Sequence, residues 1–311
     1  MADSKLKTED QVSTIWELGG LTVRQLSKRV FHAIMEDDLP GRASELAFNF
    51  ILAIFPLFIF LLSLLGVFTL RGPTLRAGLL EHLAQVLPPD AFNLVSRTLN
   101  EIMKNASNGK LTLGILLTLY FASGGMNSMI SGLNGAYALK EARSWLKVHA
   151  IAFVLTLAVS LLVIVALVSV LAGGYLANVI GAYYGLGELA IIGWKIGEGL
   201  VAVAFITFSF SLIYYFGPNV EEQHWYWITP GSIFGVLMWI GASFGFRAYL
   251  HFFNTYGKTY GSLGAVMILL MWLYVTGFSF LVGGEINAQI EHAAAQRGHP
   301  EAKAPGERKA A

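Results

Sequence analysis

Six long apolar stretches separated by short polar breaks dominate the chain, at residues 44–69, 112–134, 148–173, 193–216, 230–252 and 263–284. A bilayer core about 30 Å thick needs about 20 apolar residues of helix to cross it, so each stretch predicts a transmembrane helix. Ahead of the first, Val23, Leu26, Val30, Phe31 and Ile34 recur at helical spacing beside Arg24, Lys28 and Arg29. That pattern predicts an amphipathic helix, lying on the membrane surface or packed on the inner ends of the bundle. After the first stretch, Leu75, Leu79, Leu83 and Val86 form one stripe and Phe92, Val95, Leu99 and Ile102 another. Pro88-Pro89 separates them and Asp90 can cap the second, which predicts an outer helical hairpin over about 72–108. The expected fold is an all-α polytopic membrane protein with six transmembrane helices and amphipathic interfacial helices. Residues 1–42 form its cytoplasmic N-terminal segment, 43–292 the six-helix domain, and 293–311 a disordered cytoplasmic tail rich in Pro, Ala, Gly and charge.

The stretches differ in polarity. The second holds Ser123, Gly124, Gly125, Asn127, Ser128, Ser131 and Asn134, too much for a lipid-facing helix. Its small residues allow close helix contact, and Asn127 must face a partner or a wet cavity. The third is nearly pure Leu, Val, Ala and Ile, as a peripheral helix would be. In the fourth, Lys195 and Glu198 lie three apart on one face and are expected to neutralise each other near the outer interface. Gly217-Pro218-Asn219 stops that helix, Trp225, Tyr226 and Trp227 form an interfacial belt, and Pro230 opens the next helix at its first turn.

Composition supports the membrane reading and narrows the chemistry. Charged residues are 13% of the chain and apolar ones 55%, about half the usual globular share of charge. The net charge of +1 gives no case for nucleic acid. With no cysteine, disulfides, thiolate metal sites and thiol catalysis are excluded. The first 42 residues contain no apolar core with a small-residue cleavage site, so no cleaved signal peptide is expected there. Counting Lys and Arg by segment gives 13 on the side of the N-terminus, 6 on the other and 2 within spans. Both termini are therefore expected in the cytoplasm.

Polar groups gather toward the cytoplasmic ends. Glu45 and Asn49 share a face at the entry of the first helix, Asn134 ends the second, Asn219 follows the fourth, and Glu285 and Asn287 end the sixth. With Asn127 these are the candidate cavity-lining or transport residues, since a carboxylate in a membrane normally faces the interior with a partner. Arg42 and Arg143 are the nearest counter-charges in sequence. For Glu45 a plain role at the helix N-terminus competes with transport, and for Glu285 a role tethering helices does. Arg247, near the outer end of the fifth helix, either snorkels to headgroups or anchors an anionic group with Lys258. The seven histidines are scattered, with no pair at metal-ligand spacing within a helix, and neither a Walker loop nor a Gly-x-Ser-x-Gly elbow is present. No catalytic residue, metal site or cofactor is expected.

The order of several motifs resembles the YihY/BrkB family of bacterial inner-membrane proteins, once labelled ribonuclease BN. They are Ala43-Ser44-Glu45-Leu46-Ala47-Phe48 with Phe55-Pro56, Phe121 to Met126, and Asn134-Gly135-Ala136-Tyr137. Tyr214 to Asn219, Pro230-Gly231, Thr259 to Ala265, Trp272-Leu273-Tyr274 and Gly283-Gly284-Glu285-Ile286-Asn287 continue the series. The likeness covers about residues 20–292. Many members carry a basic residue before Gly-Pro-Asn, where this chain has Tyr215-Phe216. The resemblance implies six helices, the cytoplasmic membrane and a role in the envelope. The function expected is a transporter or flippase of a lipid-like or amphiphilic envelope compound. A non-catalytic scaffold for envelope machinery and an ion-coupled solute transporter are the alternatives. The partners expected are membrane lipids and an amphiphilic substrate, without nucleic acid, and a homo-oligomer is left open.

Overall fold

In hydrocarbon every backbone N–H and C=O must be satisfied within the chain, which leaves helix as the form for single apolar segments. The computed structural model describes residues 15–69, 110–184, 188–221, 228–252, 262–298 and 302–308, with isolated helical positions at 80, 96, 97 and 100. Every regular element among them is helical. A 3-10 turn, Ile15–Gly20, leads to α1 (Val23–Glu36), α2 (Leu39–Thr69), α3 (Lys110–Ala136) and α4 (Trp145–Tyr184). Then come α5 (Glu188–Phe216), α6 (Pro230–Phe252) and α7 (Ser262–Gln296). Apart from those isolated positions the expected outer hairpin lies outside the described residues, as do the Trp225–Trp227 belt and Lys258.

Four described stretches are long and apolar enough to cross a membrane: Trp145–Ser169, Ile192–Phe216, Pro230–Tyr249 and Val266–Gln296. The chain divides into two compact units. The first comprises Met1–Ile51, Asn127–Ala152 and Phe210–Ala311, and the second Leu52–Met126 and Phe153–Ser209.

In the first unit, α6 and α7 pack with their backbones nearly touching. A Cβ on Gly231 would sit 2.0 Å from the Gly283 carbonyl oxygen, and one on Gly283 would sit 2.3 Å from the Tyr214 hydroxyl. Only glycine permits that approach. The Tyr214 hydroxyl donates to the Phe280 carbonyl at 2.7 Å, and the two rings lie 4.9 Å apart. A capping box opens α1, with Thr22 and Gln25 exchanging side-chain-to-backbone hydrogen bonds. α1 packs against α7 and buries Leu26, Val30 and Ala33, leaving Val23, Phe31 and Met35 exposed.

α7 continues well past the apolar stretch that predicts it, because Ile286, Ile290 and Ala293 bury a further stripe within the unit. The tail expected to be disordered is instead held in two parts. Its first residues belong to α7. Farther on, Gly306 N donates to the Tyr137 carbonyl at 3.2 Å and Glu221 N to the Arg308 carbonyl at 2.6 Å. Lys303, 2% exposed, lies 3.8 Å from Glu291. Composition alone could not show these long-range anchors.

The second unit exposes long apolar stripes. Val154, Leu157, Leu161 and Val165 run exposed along α4 at helical spacing, and Ile192, Ile196 and Leu200 do so along α5. Contiguous apolar faces of this kind require lipid or a partner. Glu198 accepts a hydrogen bond from the Trp194 indole one turn back, so the expected Lys195–Glu198 neutralisation does not form. Lys195 remains exposed.

Candidate functional site

The first unit carries a polar cavity at the end of α3, and a tight turn builds it. Leu139 N donates to the Asn134 carbonyl at 2.7 Å and Ala138 N to that of Gly135 at 2.9 Å, with Ala138 in the left-handed region at φ 52°. The chain folds back so that the Glu141 carboxylate reaches α3, where it accepts from Asn134 Nδ2 at 2.9 Å. Arg143 grips the same carboxylate with Nε at 2.8 Å and Nη2 at 2.6 Å, and its backbone N–H adds a third bond at 2.9 Å. Two parallel N–H donors make the strong, planar form of this pair. Burial pushes the Glu141 carboxyl up, but the bonds from Arg143 and Asn134 outweigh it and hold it at about 2.

This knot extends across the unit. Arg143 Nη2 also donates to the Gly217 carbonyl at 2.9 Å, which caps the end of α5. Asn219 N donates to Asn134 Oδ1 at 2.7 Å, Asn219 Nδ2 to the Lys140 carbonyl at 3.2 Å, and Arg308 to Glu221 at 2.6 Å. A second knot lies at the start of α6. Thr229 and Ser232 cap each other's backbone, while Asn287 accepts from Gly231 N and donates to Thr229 Oγ1, both at 3.0 Å.

Beside the first knot a half-open cavity of about 310 Å³ has Arg42, Asn127, Ser131, Asn134 and Glu141 on its polar wall. Asn127 contributes to this wall, and its Oδ1 is buried with no hydrogen-bond partner among the described residues. Arg42 donates its Nε to the Asp37 carbonyl at 2.9 Å. Its guanidinium lies against the bare backbone of Gly135, where a Cβ would come within 2.4 Å of Cζ. Burial raises the Asp37 carboxyl, helped by Glu36 and opposed by Arg42.

Of the residues singled out from sequence, Asn127 and Asn134 share the cavity wall, and Asn219 bonds directly to Asn134. Asn287 joins the second knot. Glu285 is 0% exposed, accepts from Gln289 at 2.9 Å through Oε1, and leaves Oε2 unpartnered. Asn49 is half-buried on α2, and Glu45 and Arg247 are exposed. Arg143, expected as a counter-charge for Glu45 or Glu285, pairs with Glu141 because the turn sets them two residues apart. Sequence reading missed Glu141 and Arg308. The Glu-x-Arg spacing in a short interhelical turn was the one available sign of the first, and nothing local marked the second. Among the described residues, no group of three or more His, Asp or Glu could hold a metal ion.

The sequence profile of a family described as virulence factor BrkB matches residues 30–307. The chain is 31% identical over 263 residues to the putative ribonuclease-like protein YfkH of Bacillus subtilis, covering 85% of this chain and 94% of that one. It is 26% identical over 274 residues to a UPF0761 membrane protein of Ralstonia nicotianae, covering 86% of this chain but 59% of that longer one. A UPF0761 membrane protein of Tolumonas auensis is 25% identical over 282 residues, covering 87% and 86% respectively. No solved structure matches.

Proposed function

This chain belongs to the virulence factor BrkB family of membrane proteins, and from that premise we propose that it is a transporter or flippase for a lipid-like or amphiphilic compound of the bacterial envelope. The proposed setting is the inner membrane, crossed by six helices with both termini in the cytoplasm, as the Lys and Arg asymmetry favours. One observation carries the reading. A polar cavity of about 310 Å³ is lined in part by Asn127, whose buried Oδ1 has no partner among the described residues, within a largely apolar helical chain. An unsatisfied buried acceptor costs about 1–3 kcal/mol, which a purely structural core would avoid. A ligand headgroup or water entering the cavity would satisfy it.

Intramembrane polar groups that face a cavity commonly mark substrate pathways. The ribonuclease-like name belongs to the Bacillus relative, and we read the present chain as a non-enzyme. The second reading is a scaffold for envelope machinery, favoured by the exposed Val23, Phe31 and Met35 edge of α1. Transbilayer movement of headgroup-labelled lipids in proteoliposomes separates the two. Transport predicts flux above empty liposomes, and a scaffold predicts none for anionic or zwitterionic headgroups, with or without a proton gradient.

A further inference from the structure

The charges around the cavity are unequal in what they have left to give. Glu141 is saturated by Arg143 and Asn134, and Arg143 is committed to Glu141 and the Gly217 carbonyl. Arg42 is not. Its charge is felt by the Asp37 and Glu285 carboxyls and its Nε is used by the Asp37 carbonyl, but its two terminal amino groups make no hydrogen bond with the described residues. Among the described residues the ion pairs Glu141–Arg143, Glu291–Lys303 and Glu221–Arg308 leave it out. Gly135 lies so close beneath the guanidinium that any side chain there would displace it. The plane is therefore positioned, with its outer donors available at the cavity.

We infer that Arg42 anchors an anionic headgroup, a phosphate or carboxylate, of an amphiphile whose polar part occupies this cavity. A guanidinium with two parallel donors free suits a tetrahedral or planar oxyanion, and its charge cannot be removed by deprotonation. Ile130, Leu139 and Val148 supply apolar lining beside it, matching a ligand with an apolar portion. A quaternary ammonium or primary amine finds no equivalent, because Glu141, the only carboxylate among the described lining residues, is already neutralised. This inference deepens the transport reading and rests on it for its purpose, but binding is measurable without flux.

The test uses the full-length protein in detergent micelles, titrated with dioctanoyl phosphatidic acid, dioctanoylglycerol and inorganic phosphate. Calorimetry gives affinity, and the thermal midpoint without ligand reports folding. Phosphatidic acid is expected to bind, dioctanoylglycerol not to, and inorganic phosphate to bind more weakly than the lipid. Arg42→Gln is expected to weaken phosphatidic acid by about tenfold or more, the loss of one charge-assisted contact. Arg42→Lys should recover part of it. Gly135→Ala keeps the charge but moves it, and should give an intermediate loss even if Arg42→Gln folds poorly.

Equal binding by wild type and Arg42→Gln, equal binding of dioctanoylglycerol, or no binding of either phosphate overturns the inference. Inorganic phosphate as tight as the lipid supports the anion site and overturns its amphiphile half. Arg42-dependent binding without flux would leave this site standing while the transport reading fails. Flux indifferent to headgroup charge and to Arg42 would do the reverse.

Discussion

The two knots and the cavity wall of the first unit use the same kinds of residue to opposite ends. In the knots, Asn134, Asn219 and Asn287 have both ends of their amides occupied, mostly by partners from distant parts of the chain. On the wall, Asn127 and Arg42 lie within the same unit but keep polar atoms in reserve. A fully satisfied network fixes one geometry, whereas a partly satisfied one costs stability unless something else completes it. The difference separates residues that hold the helix ends together from residues able to receive a ligand. Glu285 stands between the two cases, with one carboxylate oxygen paired and the other bare.

That contrast sets an order of expected effects on stability. Gly231→Ala should be the most damaging, about 3 kcal/mol, because its Cβ would strike the Gly283 carbonyl and Asn287 together. A lowered thermal midpoint in detergent would register it. Asn134→Leu orphans the Asn219 N–H and removes a donor from Glu141, and should cost about 2 kcal/mol in the same assay. The acid limb of stability should carry a Glu141 component. Its folded carboxyl sits at about 2, against an ordinary 4.5. The stabilisation is therefore complete above about 4.5 and lost as pH falls toward about 2. A midpoint-against-pH series should show a shallower acid decline for Glu141→Gln. Tyr214→Phe removes one buried donor to the Phe280 carbonyl and should cost about 1 kcal/mol. Asn127→Leu should be smallest, near neutral or mildly stabilising, since it deletes an acceptor that none of the described residues satisfies.

Hydropathy located helices well and their ends less well. The stretch 230–252 coincides with α6, opened by Pro230 at the position that suits proline. α4 and α7 outrun their apolar windows by about a dozen residues each. For α7 the cause is tertiary, since Glu285, Asn287, Glu291 and His292 lower hydropathy while Ile286, Ile290 and Ala293 go on burying one face. The site was legible as residue types rather than as contacts. That Asn127 needed a partner or a cavity followed from its place in an apolar helix. Which asparagine would be closed and which open did not follow, because closure of Asn134 and Asn287 depends on Asn219, Thr229 and Gly231, remote from them in sequence. Glu285 and Asn287 illustrate the limit: two residues apart, one bonds within α7 and the other to the start of α6. The anchoring of Lys303 and Arg308 was hidden for the same reason, in a segment whose composition resembles disorder.

The most direct test compares lipid flux through wild type and Asn127→Leu in proteoliposomes containing equal amounts of folded protein. The account predicts flux lost with the thermal midpoint preserved or raised, because Asn127 serves the ligand and not the fold. Undiminished flux in the variant would contradict it and return the cavity to the status of a packing defect.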